Sequence, residues 1–522
     1  MAHDEKGAAV VIGAGIAGLA TAALLGAEGW DVTIVEARDE VGGRAGSWER
    51  DGFRFDTGPS WYLMPEVFDH FFRLLGTTAA QELDLVRLDP AYRVYSQPRA
   101  EHPLPPTDVR SGRHEATALF EAIEPGAGAT LDEYLDSAAD AYELSVSRFL
   151  YDTYETTAGL RDPVLMRRAG RLAPLLARSL AHHVERRFTD PRLRQILGYP
   201  AVFLGGSPYS VPSLYHLMSH LDLDDGVLYP RGGFTEVIGA VERLAVANGA
   251  VIRTGCEVVE ITTTDAVATG VRLADGEHIA ADLVVSTADL HHTETRLLPA
   301  ELQTYPEKWW AKRTPSPGAL LVLLGVEGAL PQLAHHTLLF AEDWRSNFED
   351  IFREPHRIPD PASLYVCRPS ATDPAVAPPG HENLFVLVPI PADPAIGRGG
   401  LDGDGDAAVE TAADRVIRQI SDWCGIPDLA ERVVVRRTIA PGDFAADLHS
   451  WRGNALGLAH TLGQSAMFRP RNASKRVRGL SYAGGSALPG IGLPMCLISA
   501  ELVLKRLRGD RTAGPLPEPA RV

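Results

Sequence analysis

The chain has 522 residues, 45% of them hydrophobic and 23% charged, with a formal net charge of −18. This length exceeds what one core fills and predicts about two domains. The acidic balance excludes nucleic acid as a partner and implies a self-repelling surface. Cys256, Cys367, Cys424 and Cys496 are far apart with no CxxC pair, so neither a disulfide framework nor a zinc site is expected, only reduced cytosolic thiols.

Taken in chain order, Val10 to Ile12 reads as a buried strand and runs straight into Gly13-Ala14-Gly15-Ile16-Ala17-Gly18. An Ala-rich helix from Leu19 to Glu28 follows, then a strand from Val32 to Val35 that ends in Glu36. In such a strand–turn–helix, Gly13 permits the tight turn, Gly15 lets backbone approach a pyrophosphate, and Gly18 lets the helix pack on the strand. The helix start offers free N–H groups to the phosphates. Glu36 is placed to accept hydrogen bonds from ribose hydroxyls and would repel the extra phosphate of NADP. Gly7 to Ala27 carries no charge, but its glycines and strand-turn-helix pattern argue against a membrane span. Asp4 and Glu5 beside Lys6 argue against a signal peptide.

Beyond Glu36, Gly42-Gly43-Arg44 supplies a guanidinium suited to a second pyrophosphate contact. Phe55-Asp56-Thr57-Gly58-Pro59 then completes the N-terminal run. Together with PRGG (Pro230 to Gly233), DFAADLHSWRGNALGL (Asp443 to Leu458) and PGIGLPMCLISAELV (Pro489 to Val503), these blocks resemble the FAD-dependent carotenoid desaturases, above all the bacterial phytoene desaturases, which are related to the flavin amine oxidases. Many members of that family have Thr-His where this chain has Ala487-Leu488.

The resemblance implies an α/β fold, in which a Rossmann-like FAD-binding domain is interleaved with an α+β substrate domain. The expected cofactor domain takes residues 1–95, 226–299 and 470–510; the substrate domain takes 96–225 and 300–469, and 511–522 form a flexible tail. Within the return segment, PRGGFTEVIGAVERLAVANGA reads as a glycine turn and helix. Short strands are expected at Ala250–Ile252, Glu257–Thr262, Gly270–Leu273 and Leu283–Thr287. Besides Gly13, Gly15, Gly18, Glu36 and Arg44, the resemblance extends FAD contacts to Ile16, Ala17, Ala37, Gly43, Gly58, Pro59, Ser60, Gly485, Gly490, Ile491, Gly492 and Leu493. It also assigns a backbone contact with the adenine to Val258, a residue equally compatible with a plain strand position.

In the C-terminal block, Leu480 to Gly485 reads as a strand and glycine turn, and Pro494 suits the first turn of a helix over Met495–Leu507. A helix start beside the flavin would stabilise negative charge on the reduced ring. Arg161 to Phe188 holds seven arginines against Asp162 and Glu185. Its Val164, Leu165, Leu172, Leu175, Leu176 and Leu180 approximate one helical face, broken near Pro174. Such a segment fits either an anionic bilayer surface or a solvated helix packed on the substrate domain.

The Gly/Asp-rich loop Ala395–Asp406 has Ala413 where a calcium loop needs Glu. His182-His183, His291-His292 and His335-His336 read as surface or satisfied core histidines, and no metal is expected. The activity implied by the resemblance is dehydrogenation of a lipid-soluble polyene, phytoene, towards lycopene. Hydride would pass from an allylic carbon to flavin, with a quinone or oxygen as electron acceptor, on a cytoplasmic protein peripheral to the membrane. Arg161 and Asp162 resemble a pair that orients substrate or takes up the proton, though a surface ion pair fits them too. A flavin amine oxidase and a non-enzymatic prenyl-binding escort of the same fold are the rival readings.

Overall fold

The computed structural model describes residues 6–99, 104–156 and 163–519. A five-stranded sheet forms where the chain alternates short apolar strands with helices. Its strands run in the order Leu480–Tyr482, Leu283–Ser286, Ala8–Ile12, Asp31–Val35, Val251–Arg253, all parallel. Strands covered on both faces need apolar side chains in both directions, which is why AAVVI and LVVS read as unbroken apolar runs.

The helices Ile16–Ala27, Phe234–Ala247 and Leu493–Arg508 share one core on the first face. An antiparallel sheet of Val258–Thr264, Val267–Leu273 and His278–Ala280 shares the core on the other. Three distant stretches of chain therefore build one sheet. The expected helices and strands are present, with ends moved by a few residues: the first helix starts at Ile16, directly at the glycine turn. The last begins at Leu493 because Pro494 sits comfortably in its first turn.

A seven-stranded sheet makes the second layer system, in the order Val433–Ile439, Gly318–Glu327, His381–Ile390, Leu364–Cys367, His336–Phe340, Tyr92–Ser96, Thr107–Val109. Along Gly318–Glu327, Leu321 and Leu323 face one core while Leu320, Val322 and Leu324 face another. This period of two sorts side chains between helix Ala407–Cys424 on one side and a helical layer with Phe53 and Phe55 on the other. Tyr92–Ser96 belongs to this sheet, pairing in parallel with His336–Phe340. Residues 511–519 lie against the parallel-sheet unit: Leu516 is buried in its core and Glu518 bonds His70.

Candidate cofactor and substrate site

The glycine turn is closed to side chains at Gly18 and open at Gly15. A Cβ on Gly18 would sit 1.9 Å from the Gly13 carbonyl oxygen, so the helix rests directly on the turn. At Gly15 the same addition would meet nothing nearer than Gly42 O at 3.9 Å, because that face opens into a cavity. The helix that follows has no side chain capping its start, so its first N–H groups are free to face a phosphate.

Glu36 is buried at the end of its strand. Its carboxylate accepts from Ala14 N at 2.7 Å and Arg38 N at 3.0 Å, with acceptor capacity left over. Arg44 donates through Nη2 to Ser450 Oγ at 3.0 Å and lies 3.8 Å from Asp289 Oδ2. Among the described residues its Nε is buried without a partner, as a donor awaiting an anion would be. The open face at Gly15, the uncapped helix start and this orphaned guanidinium nitrogen fit the pyrophosphate of FAD.

Asp56 binds two of the sequence motifs together. Its carboxylate accepts from Phe234 N at 2.8 Å and Thr235 Oγ1 at 3.1 Å, capping the helix that follows PRGG. Burial pushes this carboxyl up to about 6.

One continuous cavity of about 700 Å³ is lined by Gly13, Gly15, Ile16, Ala17, Glu36, Ala37, Gly43, Arg44, Gly58, Pro59, Ser60, Val258, Gly485, Ile491, Gly492 and Leu493. Gly18 and Gly490 stand behind this lining. The same cavity continues past Trp61, Tyr199, Phe203 and Tyr365 to Leu172 and Leu176 of helix Pro163–Ala177. The cofactor cradle and an apolar sleeve are thus one space. Arg161 and Asp162 lie outside the described residues.

Several groups at this site carry no signature in the sequence. Arg469, buried, donates to the carbonyls of Ala487, Gln464, Leu458 and Gly485 and so ties down the C-terminal glycine loop. His460 accepts from Ile491 N at 3.2 Å through Nε2, with Nδ1 2.7 Å from Tyr215 Oη. A Cβ at Gly490 would strike the His460 ring at 2.3 Å. Burial holds the His460 imidazole well below its ordinary range, so it stays neutral and can accept. The helix start at Leu493, with Gly492 before it and no side-chain cap, is thereby aimed at the cavity.

Behind Tyr199, Asp222 accepts from Tyr199 Oη at 2.8 Å and Tyr92 Oη at 3.2 Å. Burial pushes its carboxyl from an ordinary 3.8 up to about 7. The folded chain therefore holds this proton more tightly than the unfolded chain. The resulting stabilisation is full below pH 3.8 and is lost as pH rises to about 7. Asp222→Asn keeps an acceptor for both tyrosines and removes the titration. Relative to the parent it should gain roughly 2 kcal/mol between pH 5 and 8, at ~1.4 kcal/mol for each tenfold change in proton affinity. Paired melting curves at the two pH values check this, and an unchanged difference would contradict it.

The histidine pairs diverge from expectation at His183 and at His335-His336. All three are buried, and among the described residues each leaves Nε2 without a hydrogen-bond partner. Chain topology, which spacing along the sequence does not reveal, brings Cys367 opposite His336.

With this geometry in place, comparison with known proteins is decisive. The profile of the flavin-containing amine oxidoreductases matches residues 16–503. The carotenoid 3,4-desaturase of Haloarcula japonica is 42% identical over 96% of this chain and 98% of its own length. The zeta-carotene-forming phytoene desaturase of Myxococcus xanthus is 36% identical over 95% of this chain and 93% of its own. Among solved structures, a putrescine oxidase variant superposes with a TM-score of 0.60 at 16% identity, covering 96% of this chain and 99% of that one, which speaks for the fold alone. The chain belongs to the flavin-containing amine oxidoreductase family, resembles its carotenoid desaturases across nearly its whole length, and uses FAD as cofactor.

Proposed function

We propose that this protein desaturates phytoene towards lycopene, as a carotenoid-biosynthetic oxidoreductase. The observation that carries the reading is the single cavity that joins the glycine cradle to an apolar sleeve. When bound, FAD supplies the two-electron acceptor for hydride from an allylic carbon. The sleeve of Trp61, Phe203, Leu172 and Leu176 holds a hydrocarbon chain in line and excludes water. Arg161 and Asp162 are the pair proposed to orient substrate or take up the proton, and a quinone or oxygen is the proposed final acceptor. The 42% identity to a 3,4-desaturase, against 36% to a phytoene desaturase, favours a second reading in which the substrate is an already conjugated carotenoid. Offering phytoene and lycopene separately to FAD-loaded protein in liposomes separates the two. Conversion of phytoene supports the first, and conversion of lycopene alone supports the second.

Glu36 and Arg44 are the proposed polar anchors of FAD. Loss of one charged hydrogen bond costs roughly 1.5–3 kcal/mol, or about one to two decades of affinity. Glu36→Ala and Arg44→Ala should therefore purify pale, as absorbance ratios at dilute protein will report. Full flavin in both would remove them from the site.

The proposed substrate dissolves only in lipid, and the cavity has an apolar mouth. Leu176, Leu462 and Phe468 line the cavity and are 39%, 47% and 57% exposed. Beside them Arg167 and Arg171 are exposed, while Arg168 is engaged with Asp140 at 2.6 Å. Each exposed arginine near an anionic surface contributes about 1 kcal/mol, screened by salt. Replacing Arg167 and Arg171 by Ala should weaken flotation with anionic liposomes about tenfold or more at low salt. Equal flotation of variant and parent would remove this helix from the membrane-facing surface.

A further inference from the structure

We propose that His335, His336 and Cys367 form a binding site for a zinc ion inside the wall of the substrate cavity. His336 and Cys367 are directly opposed in antiparallel register, which puts their side chains on one face of the sheet. His335, just before that strand, turns its ring to within 4.6 Å of the His336 ring. One ligand atom from each of the three residues lies within 4.8 Å of the others. They are 5%, 0% and 2% exposed.

The hydrogen bonds around the cluster prepare it for a cation. His335 Nδ1 is 2.8 Å from Thr372 Oγ1, and His336 Nδ1 is 2.7 Å from Tyr365 Oη. Where Nδ1 donates in these two bonds, the lone pair falls on Nε2, and among the described residues both Nε2 atoms are buried without a partner. Binding breaks the Cys367 S–H bond, forms a zinc–sulfur bond and releases one proton to solvent, with no change of oxidation state.

Two nitrogens and a sulfur suit zinc and exclude calcium and magnesium, which take oxygen. A divalent ion with one thiolate leaves a surplus positive charge, and the Asp56 carboxylate, which borders the same small void as Cys367, offsets it. Bond lengths of about 2.0–2.3 Å require the three side chains to close in by about an ångström. A void of about 10 Å³ borders Cys367, Asp56 and Tyr229.

The ion would brace the reaction chamber. Trp61 stacks on His336 at 4.4 Å and 9°, and Tyr365 Oη bonds Ser60 Oγ at 2.8 Å; Trp61, Tyr365 and Ser60 all line the cavity.

The test uses full-length, FAD-loaded protein without a histidine tag, equilibrated with zinc and then dialysed. Metal content is measured by mass spectrometry, and cobalt replaces zinc as a spectroscopic probe. About one equivalent of zinc is expected, together with a thiolate-to-cobalt charge-transfer band. Cys367→Ser and His335→Gln should each weaken zinc binding about tenfold or more while flavin content stays at the parent level, and Cys424→Ala should retain the metal. Zinc below about a tenth of an equivalent in the parent would overturn the proposal, as would undiminished binding in flavin-loaded Cys367→Ser.

Discussion

Gly18→Ala is expected to cost this protein both its flavin and a large part of its stability. The added Cβ would lie 1.9 Å from Gly13 O and 2.9 Å from Thr287 Oγ1. Neither neighbour can yield cheaply: the first is backbone in the cradle, and Thr287 Oγ1 donates to Ile12 O at 2.9 Å. The helix must therefore lift from the sheet, at a cost of about 3 kcal/mol for overpacking a tight contact. A melting temperature lower by roughly 3 °C follows for a chain of this length. The same displacement moves the helix start away from the pyrophosphate, so purified protein should hold little FAD. Gly239→Ala is the internal control, since its Cβ would meet only the mobile tip of Arg243 at 3.4 Å and helix propensity favours alanine. Flavin retention and an unchanged melting temperature in Gly18→Ala would contradict the close approach of helix and turn.

Gly492→Val should separate binding from turnover. Gly492 has φ +118° and lines the cavity, and a Cβ added there would meet Pro494 Cδ first, at 3.8 Å. Valine there adopts a disfavoured backbone at a cost of about 1–3 kcal/mol, directs two methyl groups into open space and shifts the following helix start. The field of that helix end is worth up to ~2 kcal/mol when partly buried, so turnover should fall by about tenfold or more. The anchors at Glu36 and Arg44 are untouched, so FAD content should fall less than in Glu36→Ala. Paired measurement of flavin occupancy and product formation checks this. Full turnover in flavin-loaded Gly492→Val would place the reacting face elsewhere.

What was legible in the sequence follows physical locality. The cradle could be read because Gly13 to Glu36 is one strand, turn, helix and strand whose constraints are all near in sequence. The Pro494 helix start and the PRGG helix were legible for the same reason. The role of Asp56 was not, because its partners Phe234 and Thr235 lie in a distant segment. Arg469, His460 and Asp222 were silent too, since their significance lies in burial and in hydrogen bonds to remote residues. The seven-stranded sheet escaped reading because its strands pair across long connections and out of sequence order. Cys367 carries no metal-site spacing in the sequence; only the antiparallel register sets it against His336.

If one cavity holds FAD and a carotenoid in contact, single-turnover mixing without oxygen will show it: FAD-loaded protein is combined with phytoene or lycopene in liposomes and followed by absorbance. The flavin band should bleach in step with a red shift of one of the polyenes, while putrescine leaves the flavin oxidised. Bleaching by the amine with both carotenoids unchanged would contradict that contact.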